Sequence, residues 1–163
     1  MTMPAKIRIA VIAGLALSAS LAAQDRLAQD LAKYQAETDP VRKSRALVKL
    51  GDEQVDFARR QLKAEDEVAS LGTLEQYRDE VKTTVAALQA TGVDAERKPA
   101  GFKELQISLR ETIRRIDELI LTLPVDKRPF FREVRNDLFA YQNELIDDLF
   151  PRKPDRNPPK SNP

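Results

Sequence analysis

The sequence predicts an all-α fold, namely a four- to five-helix bundle with a C-terminal antiparallel coiled-coil-like hairpin. Apolar side chains recur at helical spacing through most of the chain, and the periodic stretches are separated by proline and glycine. Charged residues make up 33% of the 163 residues, with only 5 glycines. This composition is typical of long amphipathic helices rather than of a sheet.

The first 23 residues have the pattern of a secretory signal peptide. Lys6 and Arg8 precede an uncharged, apolar run from Ile9 to Ala23, which ends in small residues. The run is 15 residues long, shorter than the ~20 residues that a membrane-spanning helix needs. We therefore expect cleavage near Ala22 or Ala23 and a secreted or periplasmic protein, with an uncleaved membrane anchor as the alternative. A helical bundle domain is expected over residues 24–150.

Two helices are predicted at the start of this domain. The first runs from Asp25 to Glu37. The second begins at Asp39-Pro40, where the aspartate can cap free backbone N–H groups and proline loses no hydrogen bond, and extends to about Ala69.

Ser44, Gly51 and Ala58 recur every seven residues along the second predicted helix. Such a row of small side chains would allow another helix to approach closely. A bend or break at Gly51 is the alternative, because glycine costs about 1 kcal/mol relative to alanine within a helix.

A third helix is predicted between two glycines. Gly72 indicates the boundary before it, and Thr73 with Gln76 three residues later matches a capping box. Gly92 follows the last apolar position and predicts the end of the helix. Residues 93–101 are interpreted as a loop.

The strongest periodicity lies between Phe102 and Leu123, which predicts the first helix of the hairpin. Pro124 ends it, Asp126 is expected to cap the next helix, and the second apolar stripe continues to Leu149. The seam of the first helix consists of Phe102, Leu109, Ile116 and Leu123, accompanied by Leu105, Gln106, Ile113, Leu119, Ile120 and Leu121. The second stripe consists of Phe131, Val134, Leu138, Tyr141 and Leu145.

Residues 151–163 form a basic tail with five prolines. We expect this tail to be disordered and to serve as a solubilising end. Binding to an aromatic groove or to an anionic surface is the alternative.

The residue types that are missing exclude many kinds of site. The chain contains no cysteine and no histidine, so disulfides, thiolate metal sites and histidine-based nucleophile pairs are excluded. Without residues 1–23 the charge is 27 − 2 = 25 basic against 26 acidic residues, which provides no general attraction to nucleic acid. We expect no catalytic residues, no cofactor, no metal and no nucleic-acid partner.

Two groups of charged residues are candidates for binding. Lys127, Arg128, Arg132 and Arg135 would gather near the loop of the hairpin and could dock an anionic envelope component or an acidic partner. Internal ion pairing is the simpler interpretation, because carboxylates lie within helical reach. The acidic clusters at residues 52–56, 65–67 and 147–148 are interpreted as solvated surface, since no calcium-loop pattern surrounds them.

These observations favour an exported, non-catalytic protein that acts by contact with a protein partner or with a second copy of itself, in a structural or adaptor role in the cell envelope. A chaperone-like module that shields client proteins is the first alternative, and it requires an exposed apolar surface. A carboxylate-dependent enzyme is the second alternative, and it requires two acids and an arginine in one buried cleft.

Overall fold

The computed structural model describes residues 24–152, which form five α-helices and no strand. The helices are α1 (residues 24–36), α2 (Pro40–Lys63), α3 (Glu67–Ala90), α4 (Phe102–Thr122) and α5 (Arg128–Leu149). The predicted all-α bundle is therefore confirmed. The predicted signal peptide and residues 153–163 of the predicted tail lie outside the described residues. Within residues 24–152, no helix combines the length and apolar character that crossing a membrane requires.

The four long helices surround one core. α2 packs against α3 and α4, and α5 packs against the same two neighbours. α4 and α5 run in opposite directions, because Arg128 near the start of α5 reaches the carbonyl of Leu123 while Arg135 reaches Asp117 two turns back along α4. A regular coiled-coil geometry along this pair stays a prediction.

The core consists of the apolar stripes that the sequence indicates. The four seam residues Phe102, Leu109, Ile116 and Leu123 are buried, and so is the second stripe of the hairpin except for the partly buried Tyr141. α2 and α3 contribute the buried side chains of Leu47, Leu50, Val55, Leu74, Tyr77, Val81, Val85 and Leu88. Burial of a large apolar side chain contributes about 1.5–3 kcal/mol, so these stripes provide most of the stabilising contacts. Among the residues that accompany the seam, Leu121 is 73% exposed and Gln106 is only partly buried.

The row of small residues in α2 allows close contacts, and the helix continues without a break through Gly51. A Cβ on Gly51 would lie 2.5 Å from Cε2 of Tyr77, so the tyrosine ring of α3 packs directly against the α2 backbone. The hydroxyl of Ser44 donates a hydrogen bond of 2.7 Å to the carbonyl of Gly101, and the carbonyl of Ala58 accepts one of 3.0 Å from Ser70. The close approach of neighbouring helices is confirmed and the alternative of a break at Gly51 is wrong, because the helix continues through it.

The predicted boundary between the second and third helices is wrong. α2 ends at Lys63 and α3 begins at Glu67, whereas Gly72 lies inside α3. The turn forms because Glu65 adopts a positive φ of 61° and the Asp66 carboxylate accepts a hydrogen bond of 3.0 Å from the Ala69 N–H. A capping aspartate therefore starts α3 six residues before the glycine.

The predicted capping box of Thr73 and Gln76 is wrong for the same reason. The Thr73 hydroxyl lies 2.8 Å from Oε1 of Gln61 and 3.0 Å from the carbonyl of Ala69, within the helical region. The amide of Gln76 donates to Glu80, one turn further along α3.

The predicted cap of α5 is also wrong. The N-cap position is Lys127 rather than Asp126, and no side chain caps this helix end. The N–H groups of Lys127 and Arg128 donate instead to the carbonyl of Pro124, at 3.1 and 3.3 Å. A backbone carbonyl of the turn thus accepts hydrogen bonds at the start of α5, where the sequence predicts the aspartate side chain as the acceptor.

Candidate functional site

Arg135, the last of the four predicted docking residues, is held inside the α4–α5 contact. Its guanidinium donates to both carboxylate oxygens of Asp117, at 3.0 and 3.2 Å. The same guanidinium lies 5.1 Å from the ring centre of Phe139, within the range of a cation–π contact. Two parallel hydrogen bonds to one carboxylate fix its orientation, so Arg135 joins α4 to α5.

Arg128 caps the end of α4. Its Nε donates to the carbonyl of Leu123 at 3.0 Å, and its Nη2 donates to the carbonyl of Leu121 at 3.3 Å. The last carbonyl groups of a helix lack partners within the helix and attract cations. Arg128 therefore stabilises the hairpin turn.

Lys127 and Arg132 are the two more available members of the predicted group. Nζ of Lys127 lies 3.9 Å from a carboxylate oxygen of Glu67, at the limit of an ion pair. Arg132 is exposed, and it makes no ion pair with any residue that the structure describes. Docking of an anion by the four residues together stays a prediction, but two of them already bind groups of the protein.

An exposed apolar surface lies beside Lys127, at the end of the bundle that carries the α2–α3 and α4–α5 turns. Val68 of α3 is 85% exposed and Phe130 of α5 is 56% exposed. They line a groove of about 180 Å³ between the starts of α3 and α5, together with the partly buried Leu71. We call this the turn-end surface and define it by Glu67, Val68, Leu71, Lys127 and Phe130.

The apolar part of the turn-end surface is not among the sites that the sequence predicts. The predicted second helix extends to about Ala69 and so includes Val68, because the turn at residues 64–66 contains neither proline nor glycine. Phe130 carried a usable signal, since adjacent residues on a helix point about 100° apart and Phe131 already occupies the inward position. The pair of phenylalanines thus indicates that one aromatic ring lies outside the core.

The acidic cluster in α2 is bound by an arginine of α4. Nη1 of Arg115 lies 3.1 Å from Asp52, and its Nη2 lies 2.6 Å from Asp56. The arginine is largely buried, whereas both carboxylates are at least half exposed. Among residues 24–152 no group of three or more acidic side chains has a metal-binding arrangement.

A buried carboxylate holds α1 against α2. Asp30 is only 3% exposed, and one of its oxygens lies 3.0 Å from Nζ of Lys49 and 3.3 Å from Nζ of Lys33. Burial would raise the pKa of Asp30, but the hydrogen bonds and charges of the two lysines outweigh burial, so that its pKa is lowered. This ion pair positions α1.

A second polar cluster joins α1, α2 and α3. Glu80 accepts hydrogen bonds of 2.9 Å from the amides of Gln54 and Gln76, and burial raises its pKa. The hydroxyl of Tyr34 donates to the Glu80 carbonyl at 3.0 Å and lies 3.0 Å from the Thr84 hydroxyl. These hydrogen bonds join three helices, so the cluster serves packing, while Oε1 of Gln54 is buried without a hydrogen-bond partner among the described residues.

Tyr77 occupies the centre of the core. Complete burial raises the pKa of its hydroxyl to about 12. Thr112 and Ser108 of α4 lie close enough to lower this pKa slightly, but neither makes a hydrogen bond of good geometry with the hydroxyl. A phenol with so high a pKa stays protonated at neutral pH and offers no base or nucleophile.

Comparisons with protein-family models, with curated proteins and with solved structures find no match for this chain.

Proposed function

We propose that this chain is an exported, non-catalytic helical-bundle protein that acts by protein contact through the turn-end surface, in a structural or adaptor role in the cell envelope. The exposure of Val68 and Phe130 around one groove carries this proposal. Single exposed apolar residues are common, but neighbouring ones that line a groove are typical of interaction sites.

The chaperone-like alternative has less support. It requires a long amphipathic surface that can cover unfolded segments, yet the stripes of α2 to α5 are buried against one another. The groove beside Val68 and Phe130 has room for one or two side chains, at about 180 Å³. This size favours a defined contact over the shielding of varied clients.

The enzyme alternative also has less support. Two acids and an arginine do come together, at Asp52, Asp56 and Arg115, but the carboxylates are 61% and 50% exposed rather than enclosed in a cleft. Carboxylates that are this exposed are not held away from water, so the arrangement is better suited to joining α2 and α4.

The contact role is tested by site-specific photocrosslinking in cells that export the protein. A photoreactive residue at Val68 is compared with one at Val93, which is 41% exposed and lies in the segment between α3 and α4, at the opposite end of the bundle. We expect protein adducts from position 68 and few or none from position 93. Equal adducts from both positions, or none from either, would contradict the proposal.

Export is tested separately by the mass and the N-terminal sequence of the protein recovered outside the cytoplasm. We expect the chain to begin at Ala23 or Gln24, directly after the predicted cleavage sites. Recovery of the intact 163-residue chain from the cytosol would contradict it.

A further inference from the structure

We infer that the turn-end surface binds the same surface of a second copy of this chain, which produces a two-fold symmetric dimer. The inference rests on the proposed function and names the partner in it. Two properties of this surface support self-association, namely its apolar centre and the charges at its rim. The overall charge of the protein is compatible with it.

The apolar centre is large enough for a weak dimer. Val68 is 85% exposed and Phe130 is 56% exposed, and both line a groove that the partly buried Leu71 also lines. Exposed apolar patches on monomers are often functional. Two such centres with their polar rims bury less than the ~1,200 Å² of the smallest stable interfaces. We therefore expect a dimer that forms at high concentration and exchanges rapidly.

The rim is complementary to itself. It carries one cation, Lys127, and one anion, Glu67, whose charged atoms lie 3.9 Å apart. In a two-fold contact the same patch faces itself, so Lys127 of one copy can face Glu67 of the second copy, and the reverse. A patch with charges of one sign would repel its own copy, whereas this pair attracts it.

The overall charge does not oppose the contact. After removal of residues 1–23 the chain carries 25 basic and 26 acidic residues, a net charge of −1. Proteins close to zero net charge associate with little long-range repulsion. Long-range repulsion therefore does not oppose association through this apolar centre.

The first experiment is sedimentation velocity of the mature chain from about 10 μM to about 1 mM, the range that suits a weak dimer. We expect the weight-average sedimentation coefficient to rise toward that of a dimer. Val68→Glu removes exposed apolar surface without touching the core, so we expect it to remain monomeric. Val93→Glu, at the opposite end of the bundle, is the matched control and should associate like the parent chain.

The second experiment tests the symmetry through the two rim charges. Lys127→Glu places two anions at rim positions 67 and 127, and Glu67→Lys places two cations there, so we expect each variant alone to be monomeric. An equimolar mixture should form a heterodimer, because every contact across its interface is then between opposite charges. Circular dichroism of both variants checks that α3 and α5 remain helical.

The outcomes separate this inference from the proposed function. A parent chain that stays monomeric at about 1 mM, or a mixture of the two charge variants that does not associate, overturns the dimer. If photocrosslinking at Val68 then still captures a different protein, the contact role stands with another partner. If no adduct forms either, both proposals fail.

Discussion

Gly51 is the residue where helix propensity and close packing oppose each other. Glycine within a helix is less favourable than alanine by about 0.5–1 kcal/mol. Here the missing side chain leaves room for the buried ring of Tyr77, because a Cβ would lie 2.5 Å from Cε2 and 2.9 Å from Cζ. Gly72, in contrast, has no heavy atom within 4 Å of where its Cβ would be.

We therefore expect opposite effects from alanine at these two positions. Gly51→Ala should lower the free energy of unfolding by about 1–3 kcal/mol, since the ring of Tyr77 is enclosed and must shift. Gly72→Ala should raise it by about 0.5–1 kcal/mol, because α3 gains helix propensity without a clash. Urea unfolding followed by circular dichroism measures both. A stabilised Gly51→Ala variant would show that the Tyr77 ring moves at little cost.

The surroundings of Gly51 could be predicted from the sequence only in part. The regular spacing of Ser44, Gly51 and Ala58 predicts a face that another helix approaches. It cannot identify Tyr77 as the side chain that fills the space, because this depends on the register between α2 and α3. Register is fixed by packing of the whole core and leaves no local pattern in either helix.

At the scale of the element, helix ends were predictable where a proline or a glycine produces them. The start of α2 at Pro40 and the end of α4 before Pro124 agree with the prediction. The α2–α3 turn was missed because its left-handed residue is Glu65, with a φ of 61°, and not glycine. Its backbone N–H and that of Asp66 donate to the carbonyls of Leu62 and Gln61, which is the usual hydrogen bonding of a helix end.

Glu65→Gly is expected to stabilise the protein. A residue with a Cβ costs about 1–2 kcal/mol in the left-handed region, and glycine avoids this cost although it gains entropy in the unfolded chain. The free energy of unfolding should rise by about 1 kcal/mol. Glu65→Ala is the matched control and should change it little, since alanine keeps the Cβ. If both variants behave alike in urea unfolding, the conformation of residue 65 does not limit stability.

The attachment of α1 should depend on pH through Asp30. Its folded-state pKa is lowered below the ordinary 3.8, because the ion pairs with Lys49 and Lys33 outweigh burial. The ionised form is thus favoured in the folded protein. Its contribution to stability is present above the ordinary pKa and is lost as the pH falls through the folded-state pKa.

We expect Asp30→Asn to remove this part of the acid dependence. The difference in free energy of unfolding between the parent chain and the variant should shrink as the pH is lowered from about 6 to about 2. Asp25→Asn, at an exposed position of the same helix, is the control and should show a smaller change. A difference that is independent of pH would mean that the Asp30 charge does not hold α1 in place.

At the scale of the whole molecule, the sequence predicts that charged residues form ion pairs within the bundle. It does not predict which residues pair with each other. The interleaved charges predict internal ion pairing, and Arg114 pairs along α4 with Glu111 and Glu118 as helical spacing suggests. Arg115, the next residue, instead crosses to α2 and binds Asp52. A turn of about 100° between adjacent residues directs one arginine to solvent and the other to the neighbouring helix.

The candidate site was predictable only in part for the same reason. Helical spacing placed Lys127 and Arg128 at the hairpin turn, which the structure bears out. The apolar half of the turn-end surface depends on the start of α3 meeting the start of α5. The contact between these two helix starts is set by how α3 packs against α5, so it cannot be predicted from any single segment of the sequence.

Arg114 and Arg115 provide a direct test of which ion pairs hold the bundle together. Arg115 is 14% exposed and binds two carboxylates of α2, whereas Arg114 is 61% exposed and binds only its own helix. Arg115→Met keeps the apolar stem but removes the link between α2 and α4, so we expect a loss of about 1 kcal/mol in the free energy of unfolding. Arg114→Met should have little effect, because its ion pairs are exposed to water and to salt.

Urea unfolding of both variants is measured at low and at high salt. We expect the loss of stability in Arg115→Met to persist at high salt, whereas any loss in Arg114→Met should disappear there. Equal losses for both variants would mean that ion pairs along one helix contribute as much to stability as those between helices, which would contradict this expectation.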